Sequence, residues 1–262
     1  MPEFTKHDPG MFCWYELGTS DTDAAKKFYG MLFGWGAVDT PAAPGMTYTL
    51  LQLKGKDVGA LYQLTDEHKK IGVPPHWLTY VSVASADESA EKATALGGKV
   101  TMGPFDVMDV GRMAVIEDPT GAVFAIWQAK SHPGARLKDE TNTFCWSELA
   151  TSDVDKAKEF YTQLFGWGTK SGDMGPMVYT ELMNGSTPIG GMLPIAAEWG
   201  NVPPHWLNYI AVEDCDGLAN NAKEQGANII SPPMDIPNVG RFAVIQDPQG
   251  AVFAIIKLTF QG

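Results

Sequence analysis

The feature that most restricts the fold of this chain is an internal repeat. The segment FCWYEL at residues 12–17 returns as FCWSEL at 144–149, an offset of 132. The segment VGRMAVIEDPTGAVFAIW at 110–127 returns as VGRFAVIQDPQGAVFAII at 239–256, an offset of 129. The pentapeptide VPPHW and the longer segment ending in LFGWG also occur twice. A repeat of this length indicates that one structural unit is present in two copies.

The two copies predict two tandem domains of about 120 residues each. We place the first at residues 10–129 and the second at 142–258. The linker at 130–141, KSHPGARLKDET, is polar and contains proline and glycine, as domain boundaries often do. We expect a monomer whose two domains are related like the subunits of a dimer.

Each domain has the pattern of a strand, a helix and three further strands, repeated once. In the first domain, apolar residues at helical spacing predict a helix at about 21–33. Ser20 would cap this helix and Gly34 would end it in the left-handed conformation, while Ser85 would cap the second helix. The fold class is therefore α+β, with two βαβββ modules per domain. The strands that we can place are at 12–17, 47–53, 58–64, 76–83, 99–102, 112–117 and 122–128.

The composition excludes several classes of function. A net charge of −12 and a pI near 4.8 argue against nucleic acid and anionic membranes as partners. No run of about 18 apolar residues predicts a transmembrane helix, and the first residues lack the pattern of a signal peptide. Three cysteines without a CxxC motif are typical of a reducing compartment, so we expect a cytoplasmic protein.

The repeated modules resemble the vicinal oxygen chelate superfamily, which includes glyoxalase I, bleomycin-resistance proteins and extradiol dioxygenases. The motifs behind this resemblance are TSDTDAAKKFYGMLFGW near the start of a domain and DPTGAVFAIW at its end. The tandem FCWxEL, LFGW and PPHW motifs also resemble a bacterial two-domain subgroup described as glyoxalases or hydroxylases. The resemblance covers nearly the whole chain and implies that each domain curls around a ligand-binding cavity.

The resemblance also implies metal-ligand positions, and in this chain those positions are apolar. Tryptophan, leucine and alanine offer no lone pair to a metal ion. We therefore expect no metal cofactor, although Glu16 and His76 leave open a divalent ion in a nonstandard site. The positions concerned are Trp14, Leu78 and Ala125 in the first domain and Trp146, Leu207 and Ala254 in the second.

Alternation along the strands predicts which side chains face the cavity. One face of the first strand would carry Phe12, Trp14 and Glu16, and one face of the histidine strand His76, Leu78 and Tyr80. The predicted catalytic residues are Glu16, His76, Glu148 and His205, and the predicted ligand-binding residues are Phe12, Trp14, Leu78, Tyr80, Arg112, Trp146, Leu207, Tyr209 and Arg241.

Each polar candidate has a structural alternative. His76 is a metal ligand, a general base, or a strand-entry residue that packs beneath the two prolines and hydrogen-bonds the backbone or Glu16. Glu16 is a ligand anchor or base, or it forms an ion pair with Arg112, as Glu148 would with Arg241. Two functions follow from these alternatives. One is metal-free binding of up to two small aromatic or heterocyclic molecules in Trp-lined cavities, and the other is a glyoxalase-type lyase or a hydroxylase/oxygenase.

Overall fold

The computed structural model describes residues 3–43, 46–174 and 177–259. In this part of the chain no helix is long and apolar enough to cross a membrane. The first half contains β1 (Phe12–Thr19), α1 (Thr22–Phe33), β2 (Gly36–Ala43), β3 (Met46–Leu53), β4 (Lys56–Gln63), α2 (Asp66–Lys70), β5 (His76–Ser82), α3 (Ala86–Ala95), β6 (Lys99–Val107), β7 (Gly111–Glu117) and β8 (Val123–Ala129). The second half contains β9 (Phe144–Thr151), α4 (Val154–Phe165), β10 (Gly168–Met174), β11 (Met177–Asn184), β12 (Thr187–Pro194), a 3₁₀ turn (Ala197–Trp199), β13 (His205–Ala211), α5 (Cys215–Glu224), β14 (Asn228–Ile236), β15 (Gly240–Gln246) and β16 (Val252–Leu258).

Each half forms one eight-stranded sheet. The order in the first sheet is β2-β3-β4-β1-β5-β8-β7-β6, and the second sheet repeats it as β10-β11-β12-β9-β13-β16-β15-β14. Within a module the first and last strands run parallel, and the two modules meet where β1 and β5 pair antiparallel. The predicted α+β class, with four βαβββ modules in tandem, is confirmed.

Local sequence explains where α1 begins and ends. Asp21, not the predicted Ser20, is the N-cap, and its side chain accepts a hydrogen bond from the Ala24 amide. Gly34 ends the helix with φ of 71°, as predicted. The buried stripe of α1 includes Phe28 and Tyr29. Strand β2 was not predicted, because its sequence GAVDTPAA lacks a run of β-branched or aromatic residues.

The repeated tryptophans hold the two halves together. The Trp35 indole donates a hydrogen bond to the Asn142 carbonyl at 2.8 Å, and Trp167 donates to the Gly10 carbonyl at 2.8 Å. In each case the acceptor lies just before the first strand of the other half. The LFGW motif is therefore an interdomain contact rather than part of a ligand site.

The tryptophan of VPPHW contributes to a second interdomain contact. The Trp77 indole donates to the Tyr29 hydroxyl at 3.0 Å, and Tyr29 donates to Asp247 in the DPQG turn of the other half at 2.8 Å. The second copy repeats this chain of hydrogen bonds from Trp206 through Tyr161 to Asp118, with distances of 3.0 and 2.9 Å. One apolar core runs continuously through both halves. The repeated motifs thus encode the docking of one half on the other.

Candidate functional site

The candidate site lies on the sheet face that points away from the interdomain core. Strands β1 and β5 place Trp14 beside Tyr80 and Glu16 beside Leu78. Trp14, Leu78 and Tyr80 pack together in a cluster separate from the interdomain core. We call this side the first carboxylate face, after Glu16, and its copy with Trp146, Glu148, Leu207 and Tyr209 the second carboxylate face. The predicted grouping of these four residue pairs on one face agrees with the strand register.

The prediction that Phe12 shares this face is wrong. A β-bulge interrupts the pairing of β1 with β5 between Phe12 and Trp14, and the extra residue reverses the alternation of side chains. Phe12 instead packs in the interdomain core against Trp167 and Trp206, with ring centroids 5.4 and 5.3 Å away. Phe144 lies in the same core in the second half.

The Glu16 carboxylate lies next to two tyrosine hydroxyls. The Tyr80 hydroxyl donates to the Glu16 carboxylate at 2.8 Å. The Tyr48 hydroxyl, on β3, lies near enough to Glu16 to lower the pKa of its carboxyl, and its oxygen accepts the Trp14 indole N–H at 2.9 Å. Burial raises the pKa of the Glu16 carboxyl, and the two hydroxyls oppose that shift. The arrangement is a carboxyl group whose neighbours are neutral hydrogen-bond donors.

The second carboxylate face repeats this network. The Tyr209 hydroxyl donates to Glu148 at 2.8 Å, and Tyr179 accepts the Trp146 indole N–H at 2.8 Å. The Tyr179 hydroxyl also lies near enough to Glu148 to lower the pKa of its carboxyl. Burial likewise raises the pKa of Glu148. Gly191 makes room for this tyrosine, since a Cβ at that position would collide with the Tyr179 hydroxyl.

Tyr48 and Tyr179 are site residues that the sequence analysis missed. Both precede a threonine, in MTYTLL and MVYTEL, at an offset of 131. This short match was the available signal. It was weak because β3 and β11 differ at most of their other positions.

The predicted ion pairs of the glutamates are wrong. Arg112 forms a bidentate pair with Asp87 on α3, with both N–O distances 2.7 Å, and Arg241 pairs in the same way with Asp216 on α5. About half of each aspartate side chain is exposed, which places both ion pairs at the protein surface. The arginines therefore anchor a helix to the sheet edge instead of neutralising Glu16 or Glu148.

The repeated histidines have a local backbone contact. The Nδ1 atom of His76 donates to the Pro74 carbonyl at 2.8 Å, and that of His205 donates to Pro203 at 2.9 Å. Burial lowers the pKa of His76. Within the described residues no hydrogen bond joins His76 to Glu16. This geometry fits the strand-entry alternative, in which the ring bonds the backbone.

The side chains on the carboxylate faces do not fit a metal held by several protein ligands. Across the residues that the structure describes, no three His, Cys, Asp or Glu side chains converge on one point. The strands beside Glu16 and Tyr80 contribute Ala60, Leu78 and Ala125. Glu16 is thus the single carboxylate among these positions, and one such ligand gives neither the number nor the geometry that a resident metal needs.

Two surface depressions lie away from the carboxylate faces. One of about 330 Å³ is lined by Asn142, Asp214 and Leu218, and one of about 230 Å³ by Asp87, Ala90 and Pro104. Neither is lined by Glu16 or Glu148. On the carboxylate faces Leu78 and Leu207 are buried, with 6% and 8% of their surface exposed.

Replacing Glu148 by glutamine should change how stability depends on pH. Because burial raises the pKa of Glu148 above its ordinary 4.5, the folded protein binds that proton more tightly than the unfolded chain. The parent protein therefore loses stability as the pH rises from about 4.5 through the raised pKa, and the glutamine variant lacks this loss. We expect the Tm of E148Q relative to the parent to be higher at pH 8 than at pH 4, measured by calorimetry. A difference that is equal at both pH values, or larger at pH 4, would contradict the assignment.

Two tandem sheets, each built from a pair of βαβββ modules, define a protein of the vicinal oxygen chelate class. The chain belongs to the Glyoxalase/Bleomycin resistance protein/Dioxygenase superfamily, whose profile matches residues 12–126 and 143–255. It is 41% identical over 259 residues to a Mycobacterium tuberculosis protein named "Putative glyoxylase CFP32", covering 98% of both chains. It is 35% identical to the anthracycline biosynthesis protein DnrV of Streptomyces peucetius, covering 97% of this chain and 95% of that one.

Solved structures show the same fold at low sequence identity. The Mn(II)-bound glyoxalase from Novosphingobium aromaticivorans aligns with a TM-score of 0.67 and 18% identity, over 95% of this chain and 82% of that one. The 2,3-dioxygenase LapB from Pseudomonas sp. KL28 aligns with a TM-score of 0.64 and 11% identity, over 100% and 95%. At this level of identity the likeness supports the fold and leaves the chemistry to the site itself.

Proposed function

We propose that the protein binds a small aromatic or heterocyclic molecule on a carboxylate face, in a cavity lined by tryptophan. The observation that carries this proposal is a partly buried glutamate that accepts a hydrogen bond from one tyrosine, lies beside a second, and has no cationic partner among the described residues. An unpaired carboxylate is costly to bury, so it is either protonated or available to a ligand. Apolar walls around one polar anchor are typical of small-molecule sites.

The chemistry of the faces selects a flat ligand with an N–H or O–H donor. Trp146 is partly exposed and offers aromatic surface for stacking, while Glu148 accepts a hydrogen bond or pairs with a cation. Excluding water from the contact would strengthen it. One relative is named for the biosynthesis of anthracyclines, which are flat aromatic compounds, and this supports the same class of ligand.

The main alternative is an enzyme that uses the glutamate as an acid or base. A carboxyl group whose pKa is raised by burial is suited to proton transfer near neutral pH. A glyoxalase-type lyase needs a base to remove a proton from its substrate. In a hydroxylase or oxygenase the same carboxyl group would act as an acid that donates a proton. Incubation with methylglyoxal and a small thiol tests the lyase: turnover that is lost in E148Q and E16Q favours the alternative over simple binding.

The proposed setting is a cytoplasmic monomer that works without nucleic acid or membrane partners. Its three cysteines are free, and Cys13 and Cys215 are buried. Burial raises the pKa of the Cys215 thiol to about 11, which keeps it protonated and slow to oxidise. A small molecule is the proposed partner, and the acidic net charge of −12 favours a neutral or cationic one.

Removing the stacking or anchoring residue should weaken ligand binding. We expect Trp146→Ala and Glu148→Gln each to reduce affinity by about 1–3 kcal/mol, which is roughly 5- to 150-fold. Titration of a panel of heterocycles, followed by tryptophan fluorescence, measures the effect. Trp199→Phe is the matched control, because Trp199 is exposed and lies outside both faces. If Trp146→Ala, Glu148→Gln, Trp14→Ala and Glu16→Gln all stay folded and bind like the parent, the ligand site is elsewhere.

Metal analysis of the purified protein should find little metal. Without a chelator at any step, we expect less than about one-tenth of a transition-metal ion per chain, because the described donors on each face are too few. Elemental analysis by mass spectrometry gives the value. A stoichiometric ion that disappears in His76→Ala and His205→Ala would overturn the metal-free proposal and support the nonstandard site.

A further inference from the structure

The two carboxylate faces differ because the interdomain linker packs against only the first. We call residues 132–136 the strap. Its Ala135 amide donates to the Cys13 carbonyl at 2.7 Å, at the bulge of β1. Gly134 has φ of 109°, and a Cβ there would collide with the Cys13 carbonyl oxygen. The strap therefore follows a path that requires glycine to lie directly on β1.

The strap covers Trp14 with a histidine. The His132 ring meets the Trp14 ring edge-on, with centroids 4.7 Å apart and planes at 83°. The carbonyl of His132 accepts the Trp127 indole N–H at 3.0 Å, which fixes the strap to β8. Under this cover Trp14 is 5% exposed and Cys13 is fully buried.

The N-terminal segment holds the strap from its outer side. The His7 Nε2 atom donates to the Ala135 carbonyl at 2.8 Å, and the Phe4 amide donates to the Arg136 carbonyl at 2.9 Å. On the opposite side the Arg136 amide donates to the Asp57 carbonyl at 2.7 Å. Backbone bonds on both sides, together with the Glu3–Arg136 ion pair, indicate a fixed cover rather than a loose loop.

The second carboxylate face lacks this cover among the described residues. Trp146 and Cys145 are partly exposed, whereas their counterparts Trp14 and Cys13 are buried. Ile256 stands where the first half has Trp127, so the indole that fixes His132 has no equivalent on β16. Both faces keep the tryptophan, the glutamate and the two tyrosines. The cover over these residues differs between the two halves.

We propose that the second carboxylate face is the ligand site of this protein and that the strap closes the first. This inference rests on the proposed function and makes it more specific: one flat heteroaromatic molecule binds per chain, between Trp146 and Glu148. It replaces the expectation of two sites. In this proposal the first half keeps the same hydrogen bonds and serves to stabilise the folded arrangement of the two halves.

Hydroxyl-radical footprinting of the intact protein tests the accessibility directly, without any ligand. We expect Trp146 to be oxidised several-fold faster than Trp14, with peptide mass spectrometry as the readout. Trp127→Phe and His132→Ala should each raise the rate at Trp14 and leave Trp146 unchanged. Two variants are used so that a loosened fold in one of them, which circular dichroism detects, does not decide the result. Equal rates at Trp14 and Trp146 in the parent protein would overturn the inference.

Equilibrium dialysis with 9-aminoacridine, a flat cationic heterocycle, tests the stoichiometry. The salt concentration is raised to about 0.3 M so that binding to the acidic surface is screened. We expect one molecule per chain, with affinity at least tenfold weaker in Glu148→Gln and unchanged in Trp199→Phe, which alters an exposed residue outside both faces. Two molecules per chain, or loss of binding in Glu16→Gln alone, would overturn the inference while leaving the proposed function intact. If 9-aminoacridine and the other heterocycles all fail to bind, the proposed function fails, and footprinting still decides whether the strap closes the first face.

Discussion

Replacing Phe144 by alanine is expected to lower the free energy of unfolding by about 3–5 kcal/mol. Phe144 is fully buried and stacks on Tyr15 of the other half, with ring centroids 4.0 Å apart. It also meets Trp77 edge-on at 5.2 Å. The cavity left by the ring cannot easily collapse, because its neighbours are themselves rigid aromatic rings in both halves. Urea unfolding monitored by circular dichroism gives the value.

The same substitution also tests how the two halves unfold. Since Phe144 belongs to the second half but packs on the first, we expect one cooperative transition that moves as a whole to lower urea. Phe105→Ala is the control, because Phe105 is 38% exposed on the edge strand β6 and should cost less than about 1 kcal/mol. Two separate transitions, of which only one shifts, would mean that the continuous core does not couple the halves.

The fold was predictable from the sequence because comparison of the two copies shows the length of one domain and the segments that form its strands and helices. Two copies of each strand, helix and turn motif specified the modules, and alternation along β5 correctly placed Leu78 and Tyr80 together. Phe12 was misplaced because a bulge depends on how two strands pair, which a single strand does not reveal. One extra residue at that point moves a large side chain from one face to the other.

The partners of the site residues were harder to predict than the residues themselves. Glu16 was identified as a polar residue on an apolar face, but charge complementarity suggested Arg112, whose actual partner is Asp87. The hydrogen-bond donor to Glu16 is Tyr80, and the second nearby hydroxyl, that of Tyr48, comes from β3, which reaches β1 only across β4. Tyrosine carries no formal charge, so nothing in the sequence marked it as a match for a carboxyl group.

The VPPHW motif shows why repetition alone does not identify a catalytic residue. The histidine was the chemically conspicuous member, yet His76 bonds its own Pro74 carbonyl while Trp77 reaches Tyr29 in the interdomain network. A motif that occurs in both halves can serve the contact between the halves and need not contain a catalytic residue. The packing of the two halves was the missing information, and it requires the three-dimensional structure.

Replacing Asp247 by alanine is expected to cost about 3–5 kcal/mol of folding free energy. Asp247 is 3% exposed, and its Oδ1 atom accepts the amides of Gln249, Gly250 and Ala251 within the DPQG turn. Its Oδ2 atom accepts the Tyr29 hydroxyl from the other half at 2.8 Å. Alanine leaves the buried Tyr29 hydroxyl and Ala251 amide without this acceptor, whereas the Gly250 amide keeps its bond to the Asp247 backbone carbonyl. Each buried donor left unpaired costs about 1–3 kcal/mol before relaxation. Chemical unfolding measures the total. Asp216→Ala is the matched control, since its carboxylate forms a half-exposed pair with Arg241, and its loss should destabilise the protein far less. Combining Asp247→Ala with Tyr29→Phe should cost less than the sum of the two single changes, by about 0.5–3 kcal/mol, because both remove the same interdomain bond. The prediction is contradicted if the losses of unfolding free energy are additive, or if Asp247→Ala loses no more than Asp216→Ala. Either result would show that the hydrogen bonds of the DPQG turn do not join the two halves.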